Sequence, residues 1–148
     1  MYKKILIPTD GSDLAGKAVT HGVALAKEFG ASVLIVTVSE VWSAAEIAQS
    51  AEMGKDNPVE IYEAAATQTA ERVLAAAKRL AETAGVEVET IRISDRTPAV
   101  GILEAADMYE SDLIVMASHG RRGLGRMLLG SQTAEVLAFS KLPVLVLR

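Results

Sequence analysis

The segment Ala117-Ser118-His119-Gly120-Arg121-Arg122-Gly123-Leu124-Gly125-Arg126-Met127-Leu128-Leu129-Gly130-Ser131 holds the residues best suited to chemistry. Glycines let a backbone turn through positive φ and approach a ligand with no Cβ in the way. A helix opening at Gly130-Ser131 would offer unpaired N–H groups and the positive end of its dipole, and both favour phosphate. Ser131 adds a hydroxyl donor, and Arg121, Arg122 and Arg126 bring positive charge beside that terminus. Two better-known phosphate motifs are absent. Gly120, Gly123 and Gly125 have the wrong order for the dinucleotide fingerprint, and no Walker A lysine follows them. Spacing alone leaves two readings open: a phosphate loop, or a plain connection carrying solvated arginines.

The elements around this loop can be read from hydrophobic periodicity. Ile5–Ile7 is a buried strand closed by Pro8-Thr9-Asp10-Gly11-Ser12, with Ser12 placed to cap the next helix. Ala15, Ala18, Gly22, Leu25 and Phe29 form its packed face, and Gly30 stops it. A second strand spans Ser32–Val38 and is apolar on both faces, as in a parallel sheet covered on both sides. Residues 40–58 carry the weakest pattern and predict a short helix with a mobile loop. A long helix follows from Val59 to Ala84, with Ala66, Ala70, Val73, Ala77, Leu80 and Ala84 on one face.

Val86–Ile93 alternates apolar with charged residues, which suits a strand near a sheet edge. Thr97-Pro98 opens a helix with Pro in its first turn. Leu113–Met116 is a buried strand leading into the loop, Ser131–Ser140 a helix, and Pro143–Leu147 the last strand. The order βαβαβαβαβ predicts an α/β fold: a doubly wound, five-stranded parallel sheet with helices on both faces, in one domain over 1–148. Ligands of such sheets sit outside the carboxyl ends of the strands, where the strand order reverses. Pro8–Asp10, Val38–Glu40 and Ala117–Ser131 all fall at strand ends.

Composition narrows the function. Half of the 148 residues are hydrophobic, enough for a sizeable core. The absence of cysteine excludes disulfides, thiol catalysis and thiolate metal sites. A net charge of −4 argues against nucleic acid as the main partner. The apolar run Ile5–Ile7 is too short for a secretory signal, and no stretch approaches the roughly 20 apolar residues that span a bilayer. The expectation is a cytoplasmic protein with no membrane partner.

The spacing of Gly120 and Gly130-Ser131, nine residues between the glycines, resembles the universal stress protein signature G-x2-G-x9-G-S/T. The likeness extends to the ILIPTDGS start, the DLIVM strand, the LLGS helix entry and the PVLVLR end, and so to nearly the whole chain. It implies an adenine nucleotide α-hydrolase-like, Rossmann-like fold that binds ATP. Carried onto this chain, it places Pro8, Thr9, Asp10 and Val38 at the adenosine end, with Met116 and Ala117 against the nucleoside. His119, Gly120, Gly130, Ser131 and Gln132 would face the phosphates, Gln132 mainly through its backbone N–H. Mg2+ would be held mostly by the phosphates and water, since no carboxylate cluster suggests a protein metal site.

One departure matters. Ala117 stands where the signature has its first glycine, so its methyl either crowds the nucleotide or is taken up by a backbone shift. No residue is assigned a catalytic role: His119 lies in the loop without an orienting acid or a paired nucleophile in sequence. Three functions stay open. The first is a nucleotide-responsive regulatory or stress-adaptation module, with at most slow hydrolysis. The others are a nucleotide-free homodimeric scaffold and a weak ATPase. The resemblance further implies a homodimer joined through the last strand, whose edge would otherwise be exposed.

Overall fold

The computed structural model describes residues 1–54, 56–121 and 129–148. In chain order the elements are β1 (Lys4–Pro8), α1 (Asp13–Phe29), β2 (Ser32–Ser39), α2 (Ala44–Glu52), α3 (Pro58–Thr83), β3 (Val88–Ser94), α4 (Pro98–Met108), β4 (Leu113–Ala117), α5 (Ser131–Phe139) and β5 (Val144–Leu147). The five strands form one parallel sheet in the order β3-β2-β1-β4-β5. From β1 the chain winds outward to β3, then returns to lay β4 on the other side of β1. The order therefore reverses between β1 and β4, as a doubly wound sheet requires.

Residue parity along the central strands divides the core into two layers. Ile5, Ile7, Val33, Ile35, Leu113 and Val115 pack with α1 and α3 on one face. Leu6, Leu34, Val36, Ile114 and Met116 pack with α4 and α5 on the other. Successive side chains of a strand point to opposite faces, so a run apolar at every position feeds both layers. Complete burial of one such side chain contributes roughly 1.5–3 kcal/mol. The three central strands therefore dominate the driving force. β3 and β5, only partly buried, are the two edges. The alternating charges of β3 had placed it there.

Helix ends follow local chemistry. The Ser12 side chain accepts the Ala15 N–H at 3.3 Å, and Gly30 closes α1 at φ 64°, a left-handed position that suits glycine. Within residues 40–58, α2 is a defined helix. Ser43 and Glu46 cap it reciprocally: the Ser43 hydroxyl accepts the Glu46 N–H, and the Glu46 carboxylate accepts the Ser43 N–H at 2.9 Å. In α3 the packed stripe is Ala70, Ala77 and Ala81, whereas Leu80, expected on that face, is 37% exposed. Leu80 sits about 100° around the helix from Ala81. The small alanines occupy the centre of the contact and leave the larger residue at its margin.

Candidate functional site

A cavity of about 590 Å3 opens at the carboxyl ends of β1, β2 and β4. Small-molecule sites commonly measure about 300–1,000 Å3, so a nucleotide-sized ligand fits this volume. Every site residue anticipated from the sequence lines it.

At the β1 end, Pro8 is the last strand residue, paired with Val36. The Thr9 N–H continues the ladder to the Val36 carbonyl at 2.8 Å, and the buried Thr9 hydroxyl accepts the Gly11 N–H at 3.2 Å. Asp10 follows, with both carboxylate oxygens engaged. Oδ1 accepts the Ser12 N–H at 2.9 Å and Oδ2 accepts the Arg121 N–H at 2.6 Å. The Arg121 guanidinium donates back to the Asp10 main-chain carbonyl, from Nε at 3.0 Å and also from Nη2. Burial pushes the Asp10 carboxyl up. The Ser12 and Arg121 hydrogen bonds, with the Arg121 charge, more than offset this and hold it below its ordinary value of 3.8. Asp10 is thus a turn aspartate and also a latch from the β1 turn to the loop after β4.

That latch explains Gly120. A Cβ there would lie 2.5 Å from Asp10 Oδ2, so a side chain at this position would have to displace the carboxylate from its latch. Val38, on β2, reaches the cavity with α4 behind it. A Cβ on Gly101 would stand 2.9 Å from both Val38 methyl carbons, so the glycine seats α4 against this residue.

Met116 and Ala117 end β4 opposite Val146 and Leu147. Ala117 is 8% exposed and its φ is not positive, so alanine occupies the position without backbone strain. The Ala117 carbonyl accepts the Thr133 hydroxyl at 3.0 Å, which ties the first turn of α5 to the strand end. The Ser118 N–H donates to the Leu147 carbonyl, and the Ser118 carbonyl accepts the Gly130 N–H, both at 2.7 Å. Ser118 Oγ lies 3.2 Å from His119 Nδ1.

Gly130 is the N-cap of α5, and among the described residues no side chain caps that helix. The amides of Ser131 and Gln132, in its first turn, are therefore left for water or a ligand. A Cβ on Gly130 would meet His119 Cα, His119 Cβ and the Ser118 carbonyl at 3.2 Å each. The glycine lets α5 start directly against the loop. Gln132 has a structural task that the sequence did not disclose. Its side-chain oxygen accepts the Ala99 N–H at 2.8 Å, capping α4, whose own N-cap residue Thr97 makes no capping bond to the described residues. Arg122, Gly123, Gly125 and Arg126, also read as parts of the loop, lie outside the described residues.

The outer wall of the cavity was missed in the sequence. It comes from α3, which presents Tyr62, Ala65, Ala66, Thr69, Ala70 and Val73. The signal was present: residues 62, 66, 69, 70 and 73 recur at helical spacing and form one face. Among the described residues, no group of three or more His, Asp or Glu side chains is arranged to hold a metal ion.

A doubly wound α/β protein with its cavity at the reversal of strand order is the class that this fold and site define. The chain belongs to the universal stress protein family, whose model matches residues 1–148. It is 35% identical over 148 residues to the universal stress protein MJ0531 of Methanocaldococcus jannaschii, covering all of this chain and 83% of that one. The solved structure of MJ0577 from the same organism superposes with a TM-score of 0.82 at 31% identity, over 99% of this chain and 96% of that one. A universal stress protein from Archaeoglobus fulgidus, solved in complex with dAMP, shares the fold. Its TM-score is 0.69 at 20% identity, over 99% of this chain and 98% of that one.

Proposed function

We propose that this protein binds ATP in the cavity and acts as a nucleotide-responsive regulatory or stress-adaptation module. The start of α5, uncapped among the described residues, carries the reading, because its amides stand at a cavity large enough for a nucleotide. Gly120 and Gly130 let the loop and the start of α5 pack closely at that end, where a Cβ would meet Asp10, His119 or Ser118. The Archaeoglobus fulgidus relative solved with dAMP supports adenine as the base.

In this reading Pro8, Thr9, Asp10 and Val38 receive the adenosine, with Met116 and Ala117 against the nucleoside. His119, Gly120, Gly130, Ser131 and Gln132 receive the phosphates. An ionised carboxylate has about four lone-pair positions, so Asp10 can keep its two N–H partners and still accept a ribose hydroxyl. Mg2+ would offset phosphate charge, held by the nucleotide and water rather than by a protein cage. Among the described residues, Ser118 Oγ is the one hydrogen-bond partner of the His119 ring. A histidine without an orienting carboxylate suits phosphate binding better than general-base work, so hydrolysis is at most slow. Cytoplasmic residence belongs to the same reading, since an ATP-responsive module needs a compartment that supplies ATP. Among the described residues, no helix is long and apolar enough to cross a membrane.

Calorimetric titration with ATP, with and without Mg2+, tests the assignment. One ATP per chain is expected, with tighter binding when Mg2+ is present. Absence of binding to both ATP and AMP would overturn it in favour of a nucleotide-free scaffold.

We further infer that two copies pair through β5. This strand is a sheet edge, and its Leu145 is 42% exposed. An apolar edge strand left bare invites pairing with another chain. Light scattering should give twice the 15.6 kDa chain mass for the wild type and the single-chain mass for Leu145→Glu. A monomeric wild type would remove the dimer from this reading.

A further inference from the structure

The wall contributed by α3 contains one aromatic residue, and it is braced. Tyr62 lines the cavity, and the Trp42 ring stacks on it with centroids 4.7 Å apart and planes 9° from parallel. The Tyr62 hydroxyl donates to the Glu40 carbonyl at 2.9 Å, anchoring the far end of the side chain to the segment leaving β2. Trp42 lies on that same segment, just ahead of the Ser43 cap of α2. Stack and hydrogen bond together restrict the ring to one orientation. A ring fixed before binding loses little conformational entropy when a ligand lies against it.

Its position is as informative as its rigidity. The start of α5, where phosphates are expected, adjoins the end of β4. Tyr62 stands with Ser39 and Glu40 at the end of β2. The sheet order places β1 between β4 and β2, so the two sites are two strand spacings apart, about 10 Å. A sugar bridging that gap would carry a planar ring from the phosphate end to Tyr62. The neighbouring wall, Ala65, Ala66 and Val38, is small and apolar, as the edge and faces of a heteroaromatic ring require.

We propose that Tyr62, braced by Trp42, is the specificity element that receives the planar heteroaromatic ring of the ligand at the β2 end of the cavity. This rests on the phosphate end of the ligand lying at α5, as proposed above. The preference is for ligands that carry a base over those offering phosphate and sugar alone. Offset-stacked and edge-to-face contacts both serve, since each matches the charge distribution of the ring.

Trp42 is the single tryptophan of the chain, so its emission reports directly on this brace. Full-length protein would be titrated with AMP, ATP, ribose 5-phosphate and inorganic triphosphate, each followed by calorimetry and by Trp42 fluorescence. AMP and ATP should change the emission at saturation, while ribose 5-phosphate and triphosphate should leave it unaltered. Tyr62→Leu should weaken AMP and ATP on the order of tenfold, the usual scale of a lost base–aromatic contact, with triphosphate affinity unchanged. Tyr62→Phe keeps the ring and its stack and should retain most of the affinity. Nucleotide binding without a change in Trp42 emission, at wild-type affinity in Tyr62→Leu, would overturn the ring assignment alone. Should Tyr62→Leu fail to fold, the wild-type emission comparison decides by itself. No binding of any of the four probes would overturn the phosphate reading and this inference with it.

Discussion

Gly130→Val is expected to lower ATP affinity by at least about a hundredfold, a loss of roughly 2.8 kcal/mol, while the fold survives. Gly130 has φ −70° and ψ 154°, which any residue can adopt, so the requirement for glycine is one of space. A first carbon at this position meets His119 Cα, His119 Cβ and the Ser118 carbonyl at 3.2 Å. Two of these are backbone atoms, which cannot rotate away. Alanine would need shifts of a few tenths of an ångström. The two further methyls of valine would push the start of α5 from the loop and strain the 2.7 Å bond from the Gly130 N–H to the Ser118 carbonyl. Overpacking of this kind costs about 1–3 kcal/mol, which the central strands can absorb. The proposed phosphate site has no such reserve, because it would depend on where the first amides of α5 stand. Calorimetry with ATP checks the affinity and thermal unfolding checks the fold. An intermediate affinity is expected for Gly130→Ala. Unchanged ATP binding in folded Gly130→Val would mean that the phosphates bind elsewhere.

Most of this architecture was legible because the central strands carry unbroken apolar runs, Ile5–Ile7, Val33–Val36 and Leu113–Ala117. Such runs leave no alternative to a sheet covered on both faces, and the charges alternating along β3 marked an edge. Gly120 and Gly130 were equally legible as a pattern, though the contacts that surround them were not. At Gly120 the Asp10 Oδ2 atom occupies the space a side chain would take, a contact across 110 residues of chain. Periodicity reports which face of an element is apolar and says nothing about what that face meets. Thus α3 read as an amphipathic helix, yet half of its packed side walls the cavity instead of filling the core. Gln132 shows the same limit. A side chain on α5 that caps α4 satisfies an orphan amide of another helix, and no local motif encodes such a bond.

Asp10 carries the second large prediction, and its effect should appear even without ligand. In Asp10→Asn one carboxylate oxygen becomes an NH2 group, which cannot accept. Either the Ser12 N–H or the Arg121 N–H then loses its acceptor and faces another donor. Hydrogen bonds to charged groups are worth about 1.5–3 kcal/mol, but Asp10 is only about half buried, and solvent screening reduces this to about 1 kcal/mol. The pH dependence gives the sign. The folded protein holds the Asp10 carboxyl below its ordinary value of 3.8, so the latch contributes fully above that value. Its contribution disappears as pH falls through the lowered folded-state value. Wild type should therefore be the more stable at pH 7, and the difference from Asp10→Asn should shrink in acid below pH 3.8. Urea unfolding across this range measures it. With the latch weakened, Gly120 and Arg121 are no longer held against the β1 turn, and ATP affinity should fall on the order of tenfold or more. Equal stability of the two proteins at pH 7 would show that the Asp10–Arg121 contact does not hold the loop. A loss of ATP affinity in that case would leave Asp10 as a ligand contact alone.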